Sequence, residues 1–259
     1  MSKKVQERIA GKMIFALSQK GGCGKSFVVR SFVQWGRHEG WPIAAYDGDS
    51  GVGTTYRALG TRENGRLLDV QDPLVGAGRY SLRHDLQRQE LVNTMATKAP
   101  SIFHDLPGGS AYDLLKVQDE GLSDFSNLLR VMDMCGYSLT LLHLLTEEIS
   151  TTHSVAQYLD AFGSSARHIA VLNRAFQDKG GGFASWEGSR TRKRLQDIGG
   201  KEIFLPALKP QVRDKLDALH LPITAGFLEG GLTIDESGHL LRFTRELAEQ
   251  LKLIEDWIY

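Results

Sequence analysis

Short runs of apolar residues recur along the chain, and turn-forming residues bound each of them. Their apolar character is continuous rather than alternating, which is typical of strands that are covered on both faces. The runs are MIFALS (13–18), PIAAYD (42–47), SIFHD (101–105), LTLLHLL (139–145), HIAVLN (168–173) and EIFLP (202–206). The pattern therefore predicts buried strands at these positions.

Longer amphipathic stretches separate these runs and predict helices. They are KSFVVRSFVQWGR (25–37), QRQELVNTMATK (87–98), SDFSNLLRVMDM (123–134), TTHSVAQYLDAFG (151–163) and PQVRDKLDALH (210–220). An alternation of strands and helices predicts an α/β fold: a mostly parallel, twisted sheet with helices on both faces. Two glycine-containing stretches, 178–189 and 225–239, are predicted as loops within a single domain that spans residues 1–259.

The last segment, residues 240–258, is predicted as a helix. Its apolar residues recur at helical spacing, and its polar face mixes both signs of charge. A helix that lies on a membrane surface carries a basic face instead. We therefore expect this helix to pack on the domain, whose core is predicted to cover about residues 12–225.

Charge and cysteine content narrow the class of protein. Lysine plus arginine and aspartate plus glutamate both number 31, so the chain is not a globally basic nucleic-acid binder, although a local basic patch stays open. Two cysteines favour neither a disulfide framework nor a CxxC metal site. No secretion signal and no apolar run of membrane-spanning length is visible, so we expect a cytoplasmic protein without membrane attachment.

The stretch LSQKGGCGKSFVV (17–29) joins a predicted strand to a predicted helix. Glycines let successive backbone amides curl around phosphate oxygens, and the helix directs its positive end at the same oxygens. Lys25 is predicted to reach the β- and γ-phosphates, and Ser26 to place its hydroxyl on Mg²⁺. The other predicted nucleotide-binding positions are Gly21, Gly22, Cys23, Gly24 and Phe27. A flexible turn between strand and helix is the alternative.

The sequence KGGCGKS, with a second lysine at Lys20, resembles the deviant Walker A motif of the ParA/MinD family of P-loop ATPases. AAYDGDSGVGTT, with Asp47 and Asp49, is similar to the family's Asp-x-Asp segment before the first switch. SIFHDLPGG, with Asp105, is similar to its Walker B strand and second switch. Further similarities are AVLNR, which contains Asn173, and FLPALKPQVRDKLDALHLPI, which contains Pro206.

The resemblance implies an Mg²⁺-dependent ATP hydrolase of the SIMIBI type of P-loop NTPase. It implies that Ser26 binds Mg²⁺ directly, with Asp47 and Asp105 acting through metal-bound waters, and that Asp49 orients the attacking water. Asn173 and Pro206 would border the adenine. Lys20 would reach the nucleotide of a second copy, so that ATP holds a homodimer together. In the alternative interpretation the three aspartates and the asparagine are turn-forming residues at the ends of strands.

The cellular output differs among members of the family. The segment GSRTRKRL favours DNA-linked partition, mobilisation or positioning, because basic side chains contact phosphates without reading sequence. Its candidate residues are Arg190, Arg192, Lys193 and Arg194; the alternative is a solvated helix face. The resemblance also implies an activating protein partner. A regulatory subunit of a secretion or polysaccharide-export apparatus and a small-molecule kinase stay open.

Overall fold

A computed structural model of the chain describes residues 11–19, 21–49, 51, 53–117, 125–176 and 182–259. Its strands are β1 (Gly11–Leu17), β2 (Ile43–Asp47), β3 (Arg62–Glu63), β4 (Arg66–Leu67), β5 (Gly78–Arg79), β6 (Ser101–Asp105), β7 (Tyr137–Leu145), β8 (Arg167–Asn173) and β9 (Lys201–Leu205). Its helices are α1 (Lys25–His38), α2 (Thr54–Leu59), α3 (Asp85–Arg88), α4 (Glu90–Asn93), α5 (Ala111–Leu115), α6 (Ser126–Met134), α7 (Ile149–Phe162), α8 (Ala184–Glu187), α9 (Arg190–Asp197), α10 (Pro210–Leu219), α11 (Ile234–Lys252) and α12 (Glu255–Ile258).

The main sheet has seven strands in the order β5-β2-β6-β1-β7-β8-β9, and every neighbouring pair is parallel. Each apolar run of the sequence forms one of its strands. The predicted α/β class with a parallel sheet is therefore confirmed. Because the strands are parallel, all their carboxyl ends meet at one edge of the sheet, where polar residues follow β1, β2 and β6.

Alternate residues of each strand pack on opposite faces of the sheet, with helices on both. On β1, Ile14 and Ala16 face a core that contains α1, α10, α11 and α12, whereas Met13 and Phe15 face a second core that contains α6 and part of α7. A third cluster, around α8 and α9, covers the second face at β8. Burial on both faces explains why the strands read as continuous apolar runs.

Two predicted loops contain helices. In 178–189, of which 178–181 lie outside the described residues, α8 forms around Trp186, which is fully buried and donates a hydrogen bond from Nε1 to Glu202 at 2.8 Å. Within 225–239, α11 begins at Ile234, because Thr233 and Glu236 form a reciprocal capping box. Tertiary packing and a strong N-cap outweigh the glycine and serine of these stretches.

The last segment lies on the first face of the sheet. Its apolar side chains are buried against α1 and the strands; they are Leu240, Phe243, Leu247, Leu251, Ile254 and Ile258. The helix of this segment is interrupted, since α11 ends at Lys252 and α12 begins at Glu255. Across the described part of the chain, we find no helix that combines the length and the apolar character needed to cross a bilayer.

Two histidines form a buried pair between β7 and β8. His143 and His168 are stacked, with Nε2 of His143 2.9 Å from Nδ1 of His168, and Nε2 of His168 donates to the carbonyl of Gly163 at 2.8 Å. Burial lowers the pKa of both imidazoles, and their proximity lowers the pKa of His143 further. A proton added to either ring would place a charge in an apolar core, so both rings stay neutral near pH 7.

This pair is expected to destabilise the fold in acid. Below about pH 6.5 the histidines of the unfolded chain bind protons that the folded state excludes, so the free energy of unfolding falls as pH drops. Between pH 7 and pH 5 we expect the protein to lose about 2–4 kcal/mol more than the double variant His143→Leu/His168→Gln. Urea unfolding at each pH measures this difference. Parallel pH profiles for the two proteins would contradict it.

Candidate functional site

The loop between β1 and α1 has the backbone geometry of an anion-binding loop. Gly22 and Gly24 have φ values of 81° and 91°, a region that residues with a Cβ rarely adopt. Gly24 is the N-cap of α1, a helix whose first turn begins with Lys25 and Ser26. The loop therefore directs its amides and the positive end of α1 to the same place. Lys20, the second predicted lysine, lies outside the described residues.

Two side-chain contacts hold this loop. Lys25 donates from Nζ to Oγ of Ser18 at 3.2 Å, so its ammonium group lies across the loop. Asn173, at the end of β8, donates from Nδ2 to the carbonyl of Cys23 at 3.0 Å, and both residues are buried. Oδ1 of Asn173 accepts from the amide of Ala175 at 3.1 Å. In this structure Asn173 supports the loop and closes a turn, and its side chain keeps one N–H donor and one oxygen lone pair for a further partner.

Two carboxylates lie beside the loop at the ends of neighbouring strands. Asp47 ends β2 and Asp105 ends β6, and they are register partners. Their exposed fractions are 1% and 3%. Burial, followed by repulsion from Asp105, raises the pKa of Asp47 to about 6. Burial also raises the pKa of Asp105, although Lys25 nearby opposes this shift. Two buried carboxylates next to an ammonium group form a site that favours a cation.

Hydrogen bonds orient both carboxylates. Asp105 accepts from the hydroxyl groups of Ser26 and Thr55, the latter at 2.7 Å. Asp47 accepts from the amide of Asp49 at 3.0 Å and from the amide of Tyr56 at 2.9 Å. Asp47 therefore also has the turn-forming role that the sequence left open, because it fixes both ends of the loop between β2 and α2. Each carboxylate oxygen keeps a second lone pair for another donor.

Asp49 and Pro206 take different positions around this site. Asp49 is half-buried, pairs with Ser81 in an isolated bridge, and raises the pKa values of Asp47 and Asp105 by its charge. It therefore lies within electrostatic reach of both carboxylates. Pro206 is buried directly after β9. Phe27 is half-buried and packs on Phe243 of α11, with ring centroids 5.7 Å apart.

The donor set fits Mg²⁺. Among the described residues, we find no group of three or more histidine, cysteine, aspartate or glutamate side chains arranged to enclose a metal ion. Mg²⁺ instead binds through one or two protein oxygens and keeps several waters. A serine hydroxyl and two buried carboxylates, all oriented by hydrogen bonds, provide such oxygens.

Thr55 is a site residue that the sequence did not identify. It is fully buried in the first turn of α2, and its hydroxyl bonds Asp105. Thr55→Val removes the hydroxyl at nearly constant volume and leaves a buried carboxylate without one donor, so the free energy of unfolding should fall by about 1–3 kcal/mol. Urea denaturation measures this loss. Thr55→Ser, which keeps the hydroxyl, is the matched control and should retain most of the stability.

The segment after β6 is joined to the loop after β1. The amide of Gly109, which has φ 72°, donates to the carbonyl of Ser18 at 2.9 Å. Arg83 donates to the carbonyl of Gly108 at 2.6 Å and lies 3.8 Å from the carboxylate of Asp113. Sequence reasoning missed Arg83, because it belongs to the segment 54–88, in which no motif was recognised. Arg83 therefore connects segment 54–88 to the segment after β6, which is the predicted second switch.

The predicted basic patch is divided between paired and exposed side chains. On α9, Arg192 bonds both carboxylate oxygens of Glu202, at 2.9 and 3.0 Å, and Arg194 pairs with Asp160. Arg190 and Lys193 are exposed. Helix α9 packs on the second face of the sheet and α10 on the first, so Arg213 and Lys215 of α10 lie apart from this patch.

The comparisons with known proteins concern the fold. No protein-family model matches the sequence, and no curated protein matches it. Among solved structures, a chain of the MinC:MinD cell division protein complex of Aquifex aeolicus matches with a TM-score of 0.50 at 13% identity, over 92% of this chain and 96% of that chain. MinD of Aquifex aeolicus by itself matches with a TM-score of 0.48 at 13% identity, over 92% and 97%. A nucleotide-binding protein from Archaeoglobus fulgidus in complex with ADP matches with a TM-score of 0.48 at 16% identity, over 83% and 89%. The first likeness shows that the chain has a fold like that of a chain in the MinC:MinD complex, which is the fold that the resemblance predicted.

Proposed function

We propose that this protein is an ATP-dependent molecular switch that binds ATP with Mg²⁺, hydrolyses it slowly, and forms a homodimer while ATP is bound. One observation carries the proposal: the glycine loop with Lys25 adjoins two buried carboxylates, Asp47 and Asp105, at one edge of a MinD-like sheet. A phosphate-binding loop beside a cation site is what an Mg²⁺–nucleoside triphosphate requires.

The phosphates are held by the chain's own amides and one ammonium group. The left-handed backbone of Gly22 and Gly24 lets the loop curl around an anion, and α1 adds the positive end of its dipole. Lys25 exchanges its bond to Ser18 for phosphate oxygens. Because Asn173 fixes the loop through Cys23, little of the loop has to reorganise when the nucleotide enters.

Ser26, Asp47 and Asp105 would hold Mg²⁺, Ser26 directly and the aspartates through waters. The bound ion supplies neutralisation of the charge on the β- and γ-phosphates. Thr55 and the amide of Tyr56 keep the two carboxylates oriented. Asp49, at the start of the loop after β2, orients the attacking water and accepts its proton. The charge of Asp49 raises the pKa of both buried aspartates, which supports a role for Asp49 at the same phosphoryl group.

The output of the switch is association with other macromolecules. Lys20 contributes its charge to the nucleotide of a second copy, as the resemblance implies. A protein partner stimulates turnover; the MinC:MinD complex is a protein of this fold bound to a protein partner, which supports this part of the proposal. The role that we propose is DNA-linked positioning, with the contact made by Arg190 and Lys193, since Arg192 and Arg194 are engaged by carboxylates.

Size-exclusion chromatography with light scattering and a phosphate-release assay test the proposal together. We expect a monomer with ADP, a dimer with ATP, and slow release of inorganic phosphate. Lys20→Ala should bind ATP but stay monomeric.

ATP-dependent retention on duplex DNA at low salt should be lost in Arg190→Glu/Lys193→Glu. A protein that binds no nucleotide would refute the switch, and a phosphorylated small-molecule product would identify a kinase instead.

A further inference from the structure

A cavity of about 400 Å³ opens on the outer side of α1, where α2 and α10 form its walls. This volume lies within the range of small-molecule sites. Ser26 and Phe27 form its inner end, so it adjoins the proposed nucleotide site. Asn173 and Pro206, which the resemblance places at the adenine, do not line it. The cavity is therefore separate from the expected position of the base.

The walls of the cavity carry an excess of positive charge. Arg57, Arg62 and Arg213 line it. In the part of the chain that the structure describes, no carboxylate forms an ion pair with Arg57 or Arg62, and Arg213 has only its sequence neighbour Asp214, at 3.4 Å. Three arginines that line one concave space attract an anion, and a guanidinium group can form two parallel bonds to a phosphate group.

A fourth arginine has a structural role. Arg30 is buried, pairs with Asp217 and donates to the carbonyl of Leu221 at 2.9 Å. This pairing joins α1 to the end of α10 and satisfies the carboxylate of Asp217, which is therefore engaged before a ligand enters. The charge that a ligand meets comes from the three other arginines.

Part of the remaining lining is apolar, and the end of α10 completes one wall. Phe27, Ala58 and Leu216 provide a surface for the carbon skeleton of a ligand. His220, also on the wall, has φ 54°, which is uncommon for a residue with a side chain and turns the chain back after α10. This conformation ends α10, as the left-handed residue of a helix C-terminus commonly does, and the amide of Leu221 donates to the carbonyl of Leu216 at 2.9 Å.

We propose that this cavity binds a small phosphorylated metabolite, as a second site beside the phosphate-binding loop. The phosphate groups bind Arg57, Arg62 and Arg213, and the carbon skeleton lies on Phe27 and the other apolar residues. The ligand would touch Thr54, the neighbour of the Thr55 that bonds Asp105. Occupancy would thus be communicated to the nucleotide site, a consequence that rests on the proposed function, whereas binding itself does not.

Isothermal titration calorimetry with fructose 1,6-bisphosphate as the probe tests the site. Two backgrounds keep the probe away from the phosphate-binding loop: the wild type saturated with ADP and Mg²⁺, and Lys25→Ala without nucleotide. We expect one probe molecule to bind per chain in both. Arg57→Ala and Arg213→Ala should each weaken binding about 10-fold or more, whereas Arg130→Ala, at an exposed position of α6 on the opposite face of the sheet, should leave it unchanged.

Each other result has a definite meaning. No binding of the probe, or binding that both arginine variants retain, would overturn the proposal. Binding that disappears in Lys25→Ala would assign the anion to the phosphate-binding loop. Citrate that binds as tightly as fructose 1,6-bisphosphate would overturn the preference for phosphate. If ADP fails to bind but the probe still responds to Arg213→Ala, the proposed function fails and this site stands.

Discussion

Lys25→Ala should raise the Kd for ATP with Mg²⁺ about 10- to 100-fold, because a hydrogen bond from an ammonium group to a charged oxygen contributes about 1.5–3 kcal/mol. Hydrolysis should fall further, since the charge on the γ-phosphate grows in the transition state. The fold should tolerate the change, because in the described structure the ammonium group of Lys25 makes one hydrogen bond, to the hydroxyl of Ser18.

Filter binding with labelled ATP and a phosphate-release assay measure the two effects. Lys252→Ala is the matched control, because Lys252 is exposed on α11, a helix that packs beside α1 on the first face. It should bind and hydrolyse ATP like the wild type. If Lys25→Ala keeps wild-type affinity, the loop is a structural turn, and the alternative raised by the sequence is correct.

Asp49→Ala should slow hydrolysis about 100-fold or more, because removal of a positioned general base costs about that much. Binding of ATP should stay within a factor of about 3 of the wild type, and the ATP-bound dimer should persist longer. Single-turnover hydrolysis and the dissociation time of the dimer in light scattering measure these effects. Unchanged hydrolysis, or loss of ATP binding, would contradict the role of Asp49.

A comparison with Asp47→Ala distinguishes the proposed catalytic role of Asp49 from a structural role in the loop after β2. Asp47 is buried and bonds two backbone amides, whereas Asp49 is half-buried. Asp47→Ala should therefore lower the free energy of unfolding by about 1–3 kcal/mol, since it leaves those amides without their acceptor. Asp49→Ala should change it by less than about 1 kcal/mol. Equal losses of stability would show that both aspartates are chiefly turn-forming residues.

The sequence predicts the frame of the site well because the frame depends on local patterns. Each long strand is a continuous apolar run, and the glycines of the loop after β1 have few other uses at that spacing. Asp47 and Asp105 were located because both end strands whose register then pairs them. Two parts of the fold that depend on distant partners were missed, namely α8, which forms around Trp186, and the two-residue strand β5.

Contacts between distant segments account for the rest of what the sequence did not reveal. Thr55 is one of two threonines in a row, and only the fold shows that its hydroxyl faces Asp105. From the sequence alone Arg192 would be interpreted as an unpaired cation, whereas in the fold β9 places Glu202 beside it. The cavity of Arg57 and Arg213 combines α2 with α10, helices that are far apart along the chain.

Neither edge strand of the sheet, β5 or β9, is well suited to pairing with a strand of another molecule. At one margin β5 has only two residues, too few to template a continuous ladder. At the other, the side chain of Gln250 accepts a hydrogen bond from the amide of Phe204 in β9, at 3.2 Å. The proposed homodimer would then form through side chains rather than by extension of the sheet. Such contacts can be made and broken repeatedly, whereas sheet extension would favour irreversible aggregation.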